Sequence, residues 1–243
     1  MTERFADQIK REAGELGVTL SSGQIRQFYR YYELLVERNK VMNLTAITEE
    51  QDVVTKHFTD SLSLVRLMGT QALRDISLMD VGTGAGFPGI PLKIAFPELR
   101  VTLLDSLNKR VKFLQDVCAE LGLDGIEAVH GRAEDFGRNL QYREQFDLCV
   151  SRAVANLASL AEYCMPFVKV GGYFVPYKSG EIEEELKAGK RAVKILGGEV
   201  EQVEKFTLPG ADASRSLIRI RKIKAISGKY PRKAGLPTKE PLC

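Results

Sequence analysis

The run Asp80-Val81-Gly82-Thr83-Gly84-Ala85-Gly86-Phe87-Pro88-Gly89 carries the clearest chemical signal in the chain. Glycine lets a backbone turn sharply and approach a ligand closely, and such a loop between a strand and a helix suits a nucleotide-like cofactor. Gly82, Gly84 and Gly86 spell the G-x-G-x-G of S-adenosylmethionine loops, while Gly84, Gly86 and Gly89 also satisfy the dinucleotide pattern G-x-G-x-x-G. Downstream, Leu103-Leu104-Asp105 ends a second apolar run in a carboxylate, which can accept hydrogen bonds from both hydroxyls of an adenosine ribose. A third run ends in Gly131-Arg132-Ala133-Glu134-Asp135, where a backbone N–H and the Glu134 carboxylate can read an adenine edge. Adenine recognition at that strand end favours S-adenosyl-L-methionine, and no second glycine fingerprint follows for a nicotinamide half. The competing readings are a plain tight turn for the glycines, a helix N-cap for Asp105 and a solvated position for Glu134.

Other chemistries find little support. The four cysteines, at 118, 149, 164 and 243, form no CxxC pair, and only His57 and His130 could join them at a metal. The cysteines lack the context of a cytosine-attacking nucleophile, and Cys118, Cys149 and Cys164 fall on apolar faces as inert core residues. An exocyclic amine acceptor is usually served by an Asn/Asp-Pro-Pro-aromatic turn after the fourth strand, where Ser151-Arg152-Ala153-Val154 stands instead. Arg152 at that strand end either pairs with a carboxylate or meets cofactor and acceptor. From Ala213 to Lys239 there are nine Lys/Arg and no Asp or Glu. Such a stretch can neutralise phosphates, although Lys222 and Lys224 read as solvated surface and Lys109 and Arg110 as phosphate contacts or a solvent face.

The elements that must position these residues are α/β. Apolar runs at Ile76 to Val81, Val101 to Leu104, Ile126 to Val129 and Phe146 to Val150 predict buried parallel strands, with helices between them over about Asn108 to Leu121 and Leu157 to Val168. The first of these helices turns Val111, Leu114, Cys118 and Leu121 inward. Gly171-Gly172 is expected to close the second before a strand at Tyr173 to Tyr177. A charged helix over Glu181 to Leu196 and two adjacent strands, about Val200 to Leu208 and Ser216 to Ile223, predict an antiparallel hairpin finishing a mostly parallel sheet. The first ~70 residues read as helical, with Ile25, Phe28, Tyr29, Tyr32, Leu35 and Val36 as the buried stripe behind a Ser21/Gln24 capping box. The expected division is a helical extension over residues 1–72, a cofactor-binding core over 73–226 and a basic, proline-containing tail over 227–243. With 243 residues, 44% hydrophobic and 28% charged, the chain can bury a core without disulfide or metal staples. It has no signal-like start and no stretch approaching the ~18 uninterrupted apolar residues of a membrane span, so a reducing cytoplasm is expected.

The glycine run extended to Ile90-Pro91-Leu92, with Leu104-Asp105-Ser106-Leu107-Asn108-Lys109-Arg110-Val111 and Ser151-Arg152-Ala153-Val154, resembles the RsmG (GidB) family of bacterial 16S ribosomal RNA guanine-N7 methyltransferases. The likeness extends upstream to Asn43-Leu44-Thr45-Ala46-Ile47 and His57-Phe58-Thr59-Asp60-Ser61-Leu62, and downstream to Tyr230-Pro231-Arg232-Lys233-Ala234-Gly235-Leu236-Pro237. The resemblance implies a Rossmann-like class I methyltransferase acting on a guanine in the decoding region of 16S ribosomal RNA, free or within a small-subunit particle. It further implies that Gly82 and Phe87 border the cofactor, Ala133 and Glu134 face its adenine, and Arg152 stands beside the reaction centre. Phe87 also reads as a core anchor, His57 as a packing residue, and Arg232 with Lys233 as RNA contacts or a structural strap. The other functions compatible with the sequence are a small-molecule or protein methyltransferase, an NAD-dependent oxidoreductase and a non-catalytic RNA-binding protein that keeps the cofactor fold.

Overall fold

The computed structural model describes residues 1–152 and 155–242. Ala153 and Val154 of the fourth-strand motif, and Cys243, lie outside the described residues. Seven strands form one sheet in the order β3-β2-β1-β4-β5-β7-β6. They are β1 (Ser77–Val81), β2 (Arg100–Asp105), β3 (Ile126–His130), β4 (Phe146–Arg152), β5 (Val168–Ser179), β6 (Gly198–Thr207) and β7 (Ser214–Lys222). The first five run parallel, and β7 pairs antiparallel with both β5 and β6, which is the expected terminal hairpin. Strand order reverses between β1 and β4, so a crevice opens at their carboxyl ends where open α/β sheets hold ligands.

Strands β1, β2 and β4 are buried on both faces because alternate side chains feed two cores, whereas β3, expected to be buried, lies at the sheet edge and is half-exposed. Leu78 and Leu103 enter one cluster with Phe28, Tyr31 and Phe58 of the N-terminal helices. Met79 and Leu104 enter the other, with Leu160 and Phe174. The N-terminal helices thus share a core with the sheet. Helix Ser22–Met42 begins at the expected capping box, with Ser21 and Gln24 satisfying each other's backbone N–H groups. Its fully buried tyrosine is Tyr31, whereas Tyr29 and Tyr32 are only half-buried. Ile25, Phe28 and Leu35 are buried as expected, and Tyr31 joins them because it is drawn to the glycine loop, where its hydroxyl donates to the Ala85 carbonyl.

Three further differences have physical causes. Helix Leu157–Cys164 ends before the glycine pair, and Gly171-Gly172 lie inside β5 at a break in its register with β4. Gly171 has φ +91°, and a Cβ on Gly172 would lie 2.6 Å from the Asp147 carbonyl, so the pair makes an irregularity in the strand rather than a helix stop. Lys222 is fully buried, with Nζ donating to the Met165 and Val168 carbonyls and standing 3.1 Å from Glu144. It closes the gap where β5 begins, while Lys224 is exposed as expected. Cys118 is half-buried in helix Asn108–Glu120, and Val117 takes the core position beside it. Burial pushes the Cys118 thiol up to about 11.

Candidate active site

The glycine loop leaves β1 at Val81 and is tied at both ends by the sheet. Gly82 and Thr83 donate to the Leu104 carbonyl at 2.8 and 3.2 Å. The buried Asp80 carboxylate accepts at Oδ2 from Thr83 Oγ1 (2.7 Å) and from the Gly89 N–H (2.9 Å), so one oxygen staples the start of the loop to the helix that follows. Among the described residues its Oδ1 has no hydrogen-bond partner. Burial raises the Asp80 pKa to about 6, opposed by those two hydrogen bonds. Gly84 and Gly86 take φ +63° and +103°. A Cβ on Gly84 would meet open space, whereas one on Gly86 would lie 2.6 Å from both Ile90 Cδ1 and the Tyr31 hydroxyl. Gly84 therefore faces a cavity and Gly86 faces the core.

Asp105 ends β2 beside this loop and is 3% exposed. Its oxygens accept from Gly84 N–H (3.0 Å) and Leu107 N–H (2.8 Å), and Arg110 stands 3.6 Å away. The helix N-cap is Leu107, so Asp105 does not cap that helix and instead joins the glycine loop to the β2 turn. A cavity of about 410 Å³ lies over these groups, lined among others by Gly82, Gly84, Phe87, Asp105, Arg110 and Arg152. A second, of about 440 Å³, shares Gly82 and Ser106 with it and continues to Ala133 and Glu134. Glu134 is buried, and its Oε1 accepts the Gly235 N–H at 2.8 Å. His130 is exposed at the end of β3, with its ring nitrogen 3.1 Å from the Ser106 carbonyl. The structure thus places Gly82, Gly84, Phe87, Asp105, Ala133, Glu134 and Arg152 around two adjoining cavities, and turns Gly86 away from them.

The far wall is built by charge. Arg152 ends β4 and donates to Asp60 Oδ2 at 2.9 Å, while Arg215 Nε holds Asp60 Oδ1 at 2.8 Å. The Arg152 guanidinium also lies over the Phe87 ring, 5.0 Å from its centroid. His57 stacks on the Phe87 ring as well, at 4.4 Å and 19°. Arg152 stands 3.3 Å from His57 Nδ1, and Thr45 Oγ1 stands 2.8 Å from Nε2. Burial, with the Arg152 charge second, lowers the His57 pKa to about 3, so the ring is neutral. Nδ1 accepts from Arg152 and Nε2–H donates to Thr45. Beyond Arg152 lies a third cavity of about 450 Å³, lined by Lys56, Asp60, Arg152, Tyr177, Lys178 and Arg215 with His57, Ser179 and Glu185. Phe87 is both a buried anchor and a wall residue, and Arg152 is ion-paired while bordering two cavities.

Sequence reasoning did not single out Lys56, Asp60, Lys178 or Arg215. Asp60 and Lys56 lie in or beside a π-helical turn, Val54–Thr59, of a kind that often marks functional sites, but their partners are distant in sequence. The motif His57-Phe58-Thr59-Asp60 is the one local signal that points to them. Arg232 forks the buried Glu162 carboxylate, and Lys233 is exposed. Among the described residues, no group of His, Cys, Asp and Glu could hold a metal ion, and no helix is long and apolar enough to cross a membrane.

The profile of the GidB family, described as rRNA small subunit methyltransferase G, matches residues 24–218. A relative bearing the name ribosomal RNA small subunit methyltransferase G, from Lachnoclostridium phytofermentans, is 55% identical over 227 residues, covering 93% of each chain. Another of that name, from Alkaliphilus oremlandii, is 52% identical over 97% of this chain and 98% of its own. Among solved structures, YcgJ from Bacillus subtilis covers 70% of this chain and all of its own at 12% identity and a TM-score of 0.53. TYW2 from M. jannaschii, solved with AdoMet, covers 68% of this chain and 77% of its own at 13% identity and a TM-score of 0.52. These two share the Rossmann-like fold. Identity near half the residues over nearly the whole chain carries more than the fold: this chain belongs to the ribosomal RNA small subunit methyltransferase G family.

Proposed function

We propose that the chain transfers the methyl group of S-adenosyl-L-methionine to N7 of a guanine in the decoding region of 16S ribosomal RNA, free or within a small-subunit particle. The observation that carries this reading is the row of cavities along the carboxyl ends of the strands. Two of them run from Glu134 past Asp105 to the glycine loop, and the third opens beyond Arg152 onto Lys56, Lys178 and Arg215. The first two fit an adenosine with an attached amino-acid chain. Asp105 offers its carboxylate to the ribose, Ala133 and Glu134 the adenine wall, and the open side of Gly84 a close backbone approach. The third, with four cationic side chains against Asp60 and Glu185, suits an acceptor base on a phosphate backbone.

When bound, the sulfonium supplies an activated methyl group open to in-line displacement. Guanine N7 carries a lone pair in the ring plane, so no proton has to be removed, and the protein's task is alignment and charge accommodation. His57 suits that task as a neutral spacer, since its ring nitrogens are engaged by Arg152 and Thr45. Asp60, held between two guanidinium groups, offsets positive charge beside the acceptor cavity. Cys149 and Cys164 are buried and no cysteine enters the scheme.

The test is transfer of labelled methyl from S-adenosylmethionine to ribosomal RNA from cells lacking the protein, followed by nucleoside analysis. N7-methylguanosine is the expected product. A product of 5-methylcytidine alone, or a cysteine-linked RNA intermediate, contradicts the proposal.

A further inference from the structure

The C-terminal segment forms one wall of the cavity between Ala133 and Ser106. Ala234, Gly235 and Thr238 line it directly, facing Glu134 and Tyr163. Beside the bonds that Arg138 and Arg143 make to the Pro231 and Tyr230 carbonyls, an ion pair between a part-buried arginine and a buried carboxylate anchors the start of this wall. Glu162, fully buried on helix Leu157–Cys164, accepts the Arg232 backbone N–H at 2.7 Å. The Arg232 guanidinium adds Nε at 2.9 and 3.0 Å and Nη2 at 2.7 Å to the same carboxylate. Every described polar contact of Glu162 is to Arg232, so this one residue compensates a carboxylate withdrawn from water. Nη2 also donates to the Glu240 carbonyl at 2.7 Å, which folds the end of the tail back over its start. Three residues beyond Arg232, Gly235 at φ +80° delivers its N–H to Glu134 Oε1. Ser159 Oγ and Tyr163 bond the tail at Pro237 and Thr238, at 2.7 and 2.6 Å.

From this arrangement we infer that Arg232 and Glu162 are positioning residues for the adenine end of the cofactor site, acting through Gly235 and Glu134. The inference rests on the cofactor reading above. Glu134 lines the cavity, and with its Oε1 engaged by the tail amide it keeps a second carboxylate oxygen as an acceptor for an exocyclic amine. Release of the tail removes both that orientation and the Ala234-Gly235 wall. Local release is the expected response, because a terminal segment opens at less cost than the sheet. Lys233, next in sequence and exposed, is left as the tail's cation for phosphate.

Calorimetry of S-adenosylmethionine and of adenosine with wild type, Arg232→Ala and Arg232→Lys tests this. Arg232→Ala is expected to weaken both ligands by the same factor, roughly 10-fold or more, because a charged, multidentate contact is lost. Arg232→Lys keeps the charge without the fork and falls between; it also serves if the alanine variant does not fold. At saturating cofactor kcat stays within about twofold of wild type, and the salt slope of RNA binding is unchanged, as for a residue that meets neither the acceptor nor phosphate. Variants that melt lower but bind both ligands with wild-type affinity overturn the proposal while leaving the cofactor reading intact. A wild-type protein that binds neither ligand contradicts the cofactor reading, and the proposal with it.

Discussion

Two walls of the active site differ in how far along the chain their partners lie. In the glycine loop, Asp80 reaches Thr83 and Gly89, three and nine residues on, and Asp105 reaches Gly84 across 21. On the far side Asp60 meets Arg152 and Arg215 across 92 and 155 residues. The first wall is shaped by backbone geometry, through positive φ and amide donors. The second is shaped by buried charge. Damage at the glycines of the first is therefore expected to be steric and insensitive to pH, and damage to the second electrostatic.

The largest effect is expected at Gly86. Gly86→Val places a Cβ 2.6 Å from Ile90 and Tyr31 at φ +103°, and strain with overpacking is expected to cost about 4 kcal/mol in urea unfolding, equally at pH 5 and pH 8. A loss below about 1 kcal/mol would show that the loop can move away from its core contacts. Next comes Asp60→Ala, which strips the shared carboxylate from two part-buried guanidinium groups. A destabilisation of about 3 kcal/mol is expected, less than for a fully buried pair because both arginines keep some solvent. Adding Arg215→Ala is expected to restore part of it, and strict additivity would argue against the cluster.

His57 sharpens the contrast through pH. Its folded-state pKa of about 3 lies below the ordinary value of 6.5, so between those limits the unfolded chain binds more protons and stability falls as pH falls. Asp80 acts oppositely: its folded-state pKa of about 6 lies above 3.8, so its contribution is lost as pH rises through that window. Comparing wild type with His57→Gln isolates the histidine. The wild-type penalty from it is expected to reach about 3 kcal/mol at pH 4.5 and nearly vanish at pH 7, read from thermal or urea melts. The smallest effect is at Lys233, where Lys233→Ala is expected to lower the log-log salt slope of RNA binding by somewhat less than about one unit and leave cofactor affinity unchanged.

The same division decides what is legible in the sequence. Seven strands and the hairpin follow from local periodicity and the helix start at Ser21 from its capping box, and the structure has them close to the expected bounds except β5, which begins five residues earlier, at Val168. The loop at Gly82 and the carboxylate at Asp105 are legible because their partners are near in sequence or one strand away. Arg215 and Glu162 are not, and Asp60 is marked only by its motif, since nothing else local distinguishes a buried, paired charge from a solvated one. Lys222 is misread as solvated surface for the same reason, being a lysine in a basic run that finds carbonyl partners only after the sheet forms. Arg232 resembles an RNA ligand by charge, and its four contacts to Glu162 become visible only in three dimensions. Gly171 and Gly172 show the converse error, because a glycine pair after a helix also fits an irregular strand.

The central claim is that the two walls enclose one site for a sulfonium nucleoside, with Asp105 as its ribose partner. Calorimetry of the pure protein with S-adenosylmethionine, S-adenosylhomocysteine and NAD tests it most directly, repeated on Asp105→Ala. Binding of the first two and none of NAD is expected, with Asp105→Ala losing about 1 to 3 kcal/mol, or roughly 10- to 100-fold in affinity. Tight NAD binding without either sulfonium-derived ligand, or an Asp105→Ala variant that binds as wild type does, would contradict it.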